Sequence, residues 1–237
     1  MPCGDDMTPR AKFDLSLIPE QPNLEFEQDL WTKGTRTIAG VDEAGRGALA
    51  GPVAAGAVIL PPDQPDLLDR LFGVRDSKEM SPNAREAWAE AIKGIALAWE
   101  VGFSSAGEID RLGIVPATCL AVSRALAGLK HPAEHLLVDY LRLPEAKVKQ
   151  TSLVKGDARS LSIACASILA KTARDALLVE MDESFPGYLF SKNKGYGTEA
   201  HRMAIKQLGP CKAHRQTFSP IAEFYSLFPP DGGTQKA

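Results

Sequence analysis

The sequence predicts an α/β domain, and three observations carry that prediction. Short apolar runs at residues 38–41, 53–60, 97–104, 135–138 and 152–155 have strand length and are bounded by glycine, proline or acid. Between them lie segments of helical periodicity, the longest from Ser160 to about Glu183. The two kinds of segment are interspersed rather than segregated, which is the α/β pattern.

Residues 1–33 combine prolines, seven acids and isolated large apolar residues, and read as an irregular arm with Phe13, Leu15, Leu17 and Ile18 docking on the domain. The stretch IAGVDEAGRGALAGPVAAGAVIL at 38–60 reads as a hairpin: a strand ending in Asp42 and Glu43, a glycine-rich turn, and an uncharged second strand. Residues 61–80 form a proline-rich connection that delivers Asp76-Ser77-Lys78. Ser81 then serves as N-cap and Pro82 as first helical residue of a helix to about Leu97. A strand over 97–104, a short helix over 105–112 and a longer helix from Pro116 follow. The run at 135–138 terminates in Asp139, and the run at 152–155 is followed by Gly156 and Asp157. The long helix from Ser160 has small residues that allow close packing on a sheet, and another helix spans about 198–208. Phe218, Ile221, Phe224 and Phe228 pack back on the domain.

The composition is ordinary for a globular protein, 44% hydrophobic and 24% charged in 237 residues with a net charge of −3. The charge is unevenly placed. Residues 1–45 hold 4 Lys/Arg against 9 Asp/Glu, whereas residues 141–215 hold 13 against 7, a basic footprint suited to a polyanion. Four scattered cysteines without a CxxC imply reduced thiols, with Cys165 in the core. His131 and His135 straddle Pro132 with no third ligand, and read as loop and surface rather than a zinc site. No run approaches the roughly 18 apolar residues of a membrane helix, so a soluble cytoplasmic protein is expected.

Asp42-Glu43, Asp139 and Asp157 follow three separate apolar runs. Singly, each is ordinarily a strand-end cap or a solvated turn. Together, on neighbouring strands, they form a cluster of like charges that stays ionised only around cations. Oxygen-only ligands select Mg²⁺ or Mn²⁺, and a pair of such ions suits phosphoryl transfer. Gly45 and Gly47 allow a tight turn and close ligand approach, and Arg46 offers a fork suited to phosphate.

These stretches resemble the ribonuclease HII family. The resemblance rests on GVDEAGRG with LAGPV, DSK at 76–78, EIDRLGI at 108–114, LLVD at 136–139, VKGDARSLSIACASILAKTARD at 154–175, FPGY at 185–188, NKGYGT at 193–198 and HRQTF at 214–218. It implies a ribonuclease H-like fold, a central mixed sheet flanked by helices with a small helical C-terminal region. Its stretches run from about residue 37 to 220, so the chain is divided into the arm over 1–33, a catalytic domain over 34–222 and a tail over 223–237. Asp42, Glu43, Asp139 and Asp157 match the family's catalytic metal-binding acids, holding two Mn²⁺ or Mg²⁺ ions. Gly45, Arg46 and Gly47 match its reader of the ribose 2′-hydroxyl, Tyr196 its sugar-stacking tyrosine, and Lys78 a phosphate contact. The expected substrates are RNA–DNA hybrids and duplex DNA containing ribonucleotides, acted on by a monomer. Asp175 reads as a helix-surface or packing partner rather than a fifth acid. The chain departs from the family pattern at Ala48, usually Pro, at Tyr140, usually Gly, and at Gln216-Thr217.

Overall fold

The computed structural model describes residues 13–75, 77, 78 and 80–227. In chain order these form α1 (Glu25–Thr32), β1 (Ile38–Ala44), β2 (Val53–Ile59), α2 (Leu67–Arg70), α3 (Pro82–Ile95) and β3 (Ala98–Ser104). There follow α4 (Ala106–Leu112), α5 (Ile114–Gly128), β4 (His135–Asp139), β5 (Lys149–Leu153) and α6 (Leu161–Ser184). The chain closes with α7 (Phe190–Asn193), α8 (Glu199–Leu208) and α9 (Ile221–Leu227).

The five strands make one mixed sheet in the order β3-β2-β1-β4-β5. β1 and β2 form the predicted antiparallel hairpin, and β3 extends it antiparallel. On its other edge β1 runs parallel to β4, and β4 to β5. Helix α6 covers one face and α5 the other, so alternate residues of β1 enter different cores, Ile38 with Ile163 of α6 on one side. Ala39 and Val41 face the α5 side with Ala117 and Ala121. Gly40 lies against α6 so closely that a Cβ there would stand 2.2 Å from the Ser162 carbonyl carbon. The small residues of α6 therefore bring its backbone onto the strand. A third core, around Leu49, Leu178, Phe190, Ile205 and Ile221, joins the β1–β2 loop to the C-terminal helices.

Helix starts follow the predicted caps. Ser81 accepts from the Ala84 N–H at 3.3 Å, as predicted, and Ser105, not singled out as a cap in the sequence, forms a reciprocal capping box with Glu108. Several expectations are corrected. The arm is not irregular throughout, since Glu25–Thr32 is helical. Leu15 and Leu17 are exposed, whereas Phe13 docks as expected with its ring 5.3 Å from the Arg159 guanidinium, and Leu24, Glu27 and Trp31 add the buried contacts. The Glu27 carboxylate is buried against α6, accepting from the Ser160 and Ser162 hydroxyls at 2.6 Å each and from the Ser162 N–H at 3.0 Å. It thus satisfies donors at a helix start, with help from the helix dipole. β5 ends at Leu153, two residues before the predicted end. The longer helix starts at Ile114, two residues before Pro116. His135 belongs to β4 and is half-buried, its Nε2 2.9 Å from Thr151 Oγ1. Phe228, Asp76 and Cys3 lie outside the described residues.

Candidate active site

Asp42 and Glu43 sit within β1, not in the turn beyond it. Strand alternation sends them to opposite faces. Asp42 points to the α6 side, where Ser167 bonds its carboxylate and is itself 3.0 Å from Ser77 Oγ. Glu43 points the other way and pairs with Arg46 at 3.0 Å. The parallel register sets Val41 opposite Val138, so the next residues, Asp42 and Asp139, leave the sheet side by side. Asp157 is not at a strand end as expected. Val154 and Lys155 intervene, and it occupies a buried 3-10 turn at Gly156–Ala158 just before α6.

The four acids act on one another electrostatically. Burial pushes the Asp42 carboxyl well above the usual carboxylate range, and Glu43, Asp139 and Asp157 add to the shift. Burial also raises Asp139, to about 6, against a hydrogen bond from the Gly156 N–H at 2.7 Å. Lys78, largely exposed, lies 3.5 Å from Asp157. Among the described residues no three His, Cys, Asp or Glu side chains stand in a ready metal shell. Each carboxylate instead turns to its nearest donor: Asp42 to the Glu43 N–H, Glu43 to Arg46, Asp139 to Gly156 and Asp157 to Lys78. The donor set itself, all oxygen and anionic with two acids held against ionisation, fits a hard divalent cation.

Gly45, Arg46 and Gly47 lie at the head of the β1–β2 loop, which two buried arginines hold by its carbonyls. Arg215 donates to Gly45 at 2.7 Å, Arg46 at 2.8 Å and Gly51 at 3.0 Å. Arg174 donates to Ala50 at 3.1 Å, Pro52 at 2.8 Å and Lys194 at 2.9 Å. Burial pulls Arg215 down to about 9, so it stays charged at neutral pH. Gly45 needs its missing side chain twice over: its φ is +91°, and a Cβ would stand 1.9 Å from Arg174 Nε. A Cβ on Gly47 would meet open space.

Tyr196 is tied to the same loop. The Gly195 carbonyl accepts from Leu49 at 2.8 Å, and the Tyr196 ring lies 5.3 Å from both the Arg174 guanidinium and the Lys171 ammonium. Its carbonyl ends a buried chain. The Cys211 N–H donates to His214 Nδ1 at 3.0 Å, which makes that nitrogen an acceptor and leaves the proton on Nε2. His214 Nε2 then donates to His201 Nε2 at 3.1 Å, and His201 Nδ1 donates to the Tyr196 carbonyl at 2.9 Å. Burial lowers both imidazoles, His214 to about 4, in keeping with two neutral rings.

Sequence reasoning misses Arg174, Arg215, Ser167, His201 and His214. An arginine amid the small apolar residues of α6 is the available signal for Arg174. Asp175 is a packing partner: it pairs with Lys171 at 2.7 Å and Arg85 at 3.3 Å, and Arg85 holds the Ser77 carbonyl at 2.9 Å. The Gln216-Thr217 departure is accommodated because Asp110 accepts from the two backbone N–H groups at 2.9 Å each.

Residues 39–220 match the sequence model of the family described as Ribonuclease HII. The ribonuclease HII of Synechococcus sp. (strain JA-3-3Ab) is 52% identical over 203 residues, covering 86% of this chain and 90% of that protein. That of a Thermus thermophilus strain is 47% identical over 204 residues, covering 86% and 96%. The crystal structure of ribonuclease H2 from Pyrococcus horikoshii OT3 superposes with a TM-score of 0.66 at 24% identity, over 81% of this chain and 98% of that one, a likeness of fold. The ribonuclease HII of Archaeoglobus fulgidus, solved in complex with PCNA, gives 0.64 at 26% identity, over 77% and 95%. The chain belongs to the ribonuclease HII family and is a ribonuclease H enzyme.

Proposed function

We propose that the chain hydrolyses the RNA strand of RNA–DNA hybrids and incises duplex DNA on the 5′ side of single embedded ribonucleotides. The observation that carries this reading is the parallel register that sets Asp42 beside Asp139, with the Gly45–Gly47 loop directly beyond the same strand. Asp42, Glu43, Asp139 and Asp157 would hold two divalent ions, Mg²⁺ or Mn²⁺. Bound there, such ions supply charge neutralisation and water activation for phosphodiester hydrolysis.

The protein's own groups then bind and orient. Gly45 and Gly47 offer backbone unobstructed by side chains, and Arg46 a fork, to the ribose 2′-hydroxyl, the group that separates RNA from DNA. Tyr196 presents a ring to the sugar of the following deoxynucleotide, and Lys78 a charge to a phosphate. Water adds to phosphorus and the bond to the upstream O3′ breaks, leaving 3′-hydroxyl and 5′-phosphate ends. This activity fits ribonucleotide removal from DNA and RNA primer removal, by a cytoplasmic monomer whose catalytic unit spans 34–222. Among the described residues no helix is long and apolar enough to cross a membrane.

The test is a labelled DNA duplex with one ribonucleotide, beside an all-DNA duplex and a long hybrid, in Mg²⁺, Mn²⁺ or EDTA. Metal-dependent incision 5′ to the ribonucleotide is expected. Cleavage of the long hybrid alone would remove the junction-reading role, and cleavage of the all-DNA duplex would overturn the ribose reading.

A further inference from the structure

The geometry points to Tyr140 as a substrate-binding residue, the centre of an apolar groove that lies against sugars in the minor groove of the duplex. This inference rests on the proposed function.

Tyr140 immediately follows Asp139 and is 61% exposed. Its φ is +53°, a left-handed backbone that disfavours any residue with a Cβ and that glycine adopts freely. The fold holds this conformation from both sides: the Tyr140 N–H donates to Leu153 of the neighbouring strand, and the Leu141 N–H to Asp139. A bulky ring kept in a conformation made for glycine, beside a candidate metal ligand, marks function rather than packing.

The ring does not stand alone. Arg46, Val115, Tyr140, Arg142 and Val154 line a groove of about 550 Å³. Val115 and Val154 are 47% and 39% exposed, so three large apolar side chains share one accessible surface flanked by two arginines. Exposed apolar side chains occur elsewhere on the surface, but here they are grouped in one concave groove beside the candidate acids, the arrangement of a binding surface. Its continuity with Arg46 identifies the occupant. The 2′-hydroxyl that Arg46 would read is displayed in the wide, shallow minor groove of the duplex. Surface running on from Arg46 therefore meets the sugars of adjacent nucleotides, with Arg46 and Arg142 complementing the phosphates on either side. Paired bases are out of reach for stacking, so the aromatic face packs on sugar.

Tyr140→Gly separates this role from a structural one, because the two move in opposite directions. Glycine suits the left-handed backbone, so thermal stability should hold or rise. On a duplex with a single ribonucleotide, KM should rise about tenfold with kcat little changed, by analogy with the loss of one aromatic nucleic-acid contact. Tyr140→Phe, which keeps the ring, should recover most of the loss. Fluorescence anisotropy of an uncleaved labelled hybrid in EDTA gives the same comparison without chemistry. Equal affinity and KM in wild type and Tyr140→Gly would overturn the proposal, as would a KM rise accompanied by a matching fall in melting temperature. If the wild type binds the duplex with Tyr140-dependent affinity but cuts nothing, the groove stands and the proposed activity falls.

Discussion

The two ends of the β1–β2 loop differ in how their charges are answered. On the reading side, Arg174 and Arg215 are fully buried, yet each finds three backbone carbonyls, and the two buried histidines complete a donor–acceptor chain ending at Tyr196. On the acid side, Asp42 and Asp139 are pushed up by burial and by neighbouring carboxylates, with only scattered protein donors to offset them. The protein alone preorganises the surface that would recognise substrate. It leaves the acid cluster electrostatically incomplete, in the state a divalent cation would complete. Preorganisation of the proposed reader and frustration of the proposed chemical centre are complementary uses of the same fold.

The sharpest break of this contrast is Asp42→Asn. If Asp42 holds a metal as proposed, losing a carboxylate worth several kcal/mol in the transition state should cut turnover on the order of 10³-fold or more, while hybrid binding survives. In EDTA the same variant should melt higher than wild type, since one of the mutually repelling acids is gone. A gel assay and a thermal melt decide both; retained turnover would sink the metal assignment.

Arg215→Met attacks the other side. It strips two buried carbonyls and one part-buried carbonyl of their donor, and each buried acceptor left unsatisfied costs about 1–3 kcal/mol. Urea unfolding should show a lower midpoint, and any protein that stays folded should lose preference for the single-ribonucleotide duplex over the long hybrid. A variant with unchanged midpoint would show that the loop does not depend on the brace.

The pH dependence should carry opposite signs in the two regions. His214 is held near 4 against an ordinary 6.5, so the unfolded chain binds more protons between those values. Stability should therefore fall as pH drops from about 6.5 towards 4, by up to about 3 kcal/mol. Asp139 runs the other way. Raised to about 6 from an ordinary 3.8, it contributes stability that is fully present below 3.8 and lost as pH rises through 6. Urea midpoints across pH 4–7 for His214→Gln and Asp139→Asn should separate the two slopes; parallel profiles would refute the assignment.

Lys78→Ala is the smallest effect. The side chain is 74% exposed and 3.5 Å from Asp157, so stability should change by less than about 1 kcal/mol. KM for nucleic acid should rise and the salt dependence of binding should flatten by roughly one phosphate contact. Titrations at two or more salt concentrations check this.

Much of the site is legible in the sequence alone. An acid at the end of an apolar run is conspicuous, which is why Asp42, Glu43 and Asp139 can be picked out one by one. Asp157 is legible too, but its place is not: it lies in a turn buried under the start of α6 rather than at a strand end. The Glu25–Thr32 helix is hidden because its stabilising contact is to serines over 130 residues away, in a segment whose local composition reads as loop. Arg215 stands inside the quoted HRQTF stretch, but its role is not legible there because a guanidinium that grips backbone carbonyls imposes no pattern on the side chains around it.

The sequence by itself determined the punctuation of this protein: strands, caps, the glycine turn and the acids, all set by propensities acting over a few residues. Tertiary structure decided which of these meet. The β1–β4 register that pairs Val41 with Val138, the residues before Asp42 and Asp139, and the bond from Arg215 to a carbonyl 170 positions earlier, join residues far apart in the chain. Such contacts are fixed by sheet order and burial, and neither is written in any local stretch.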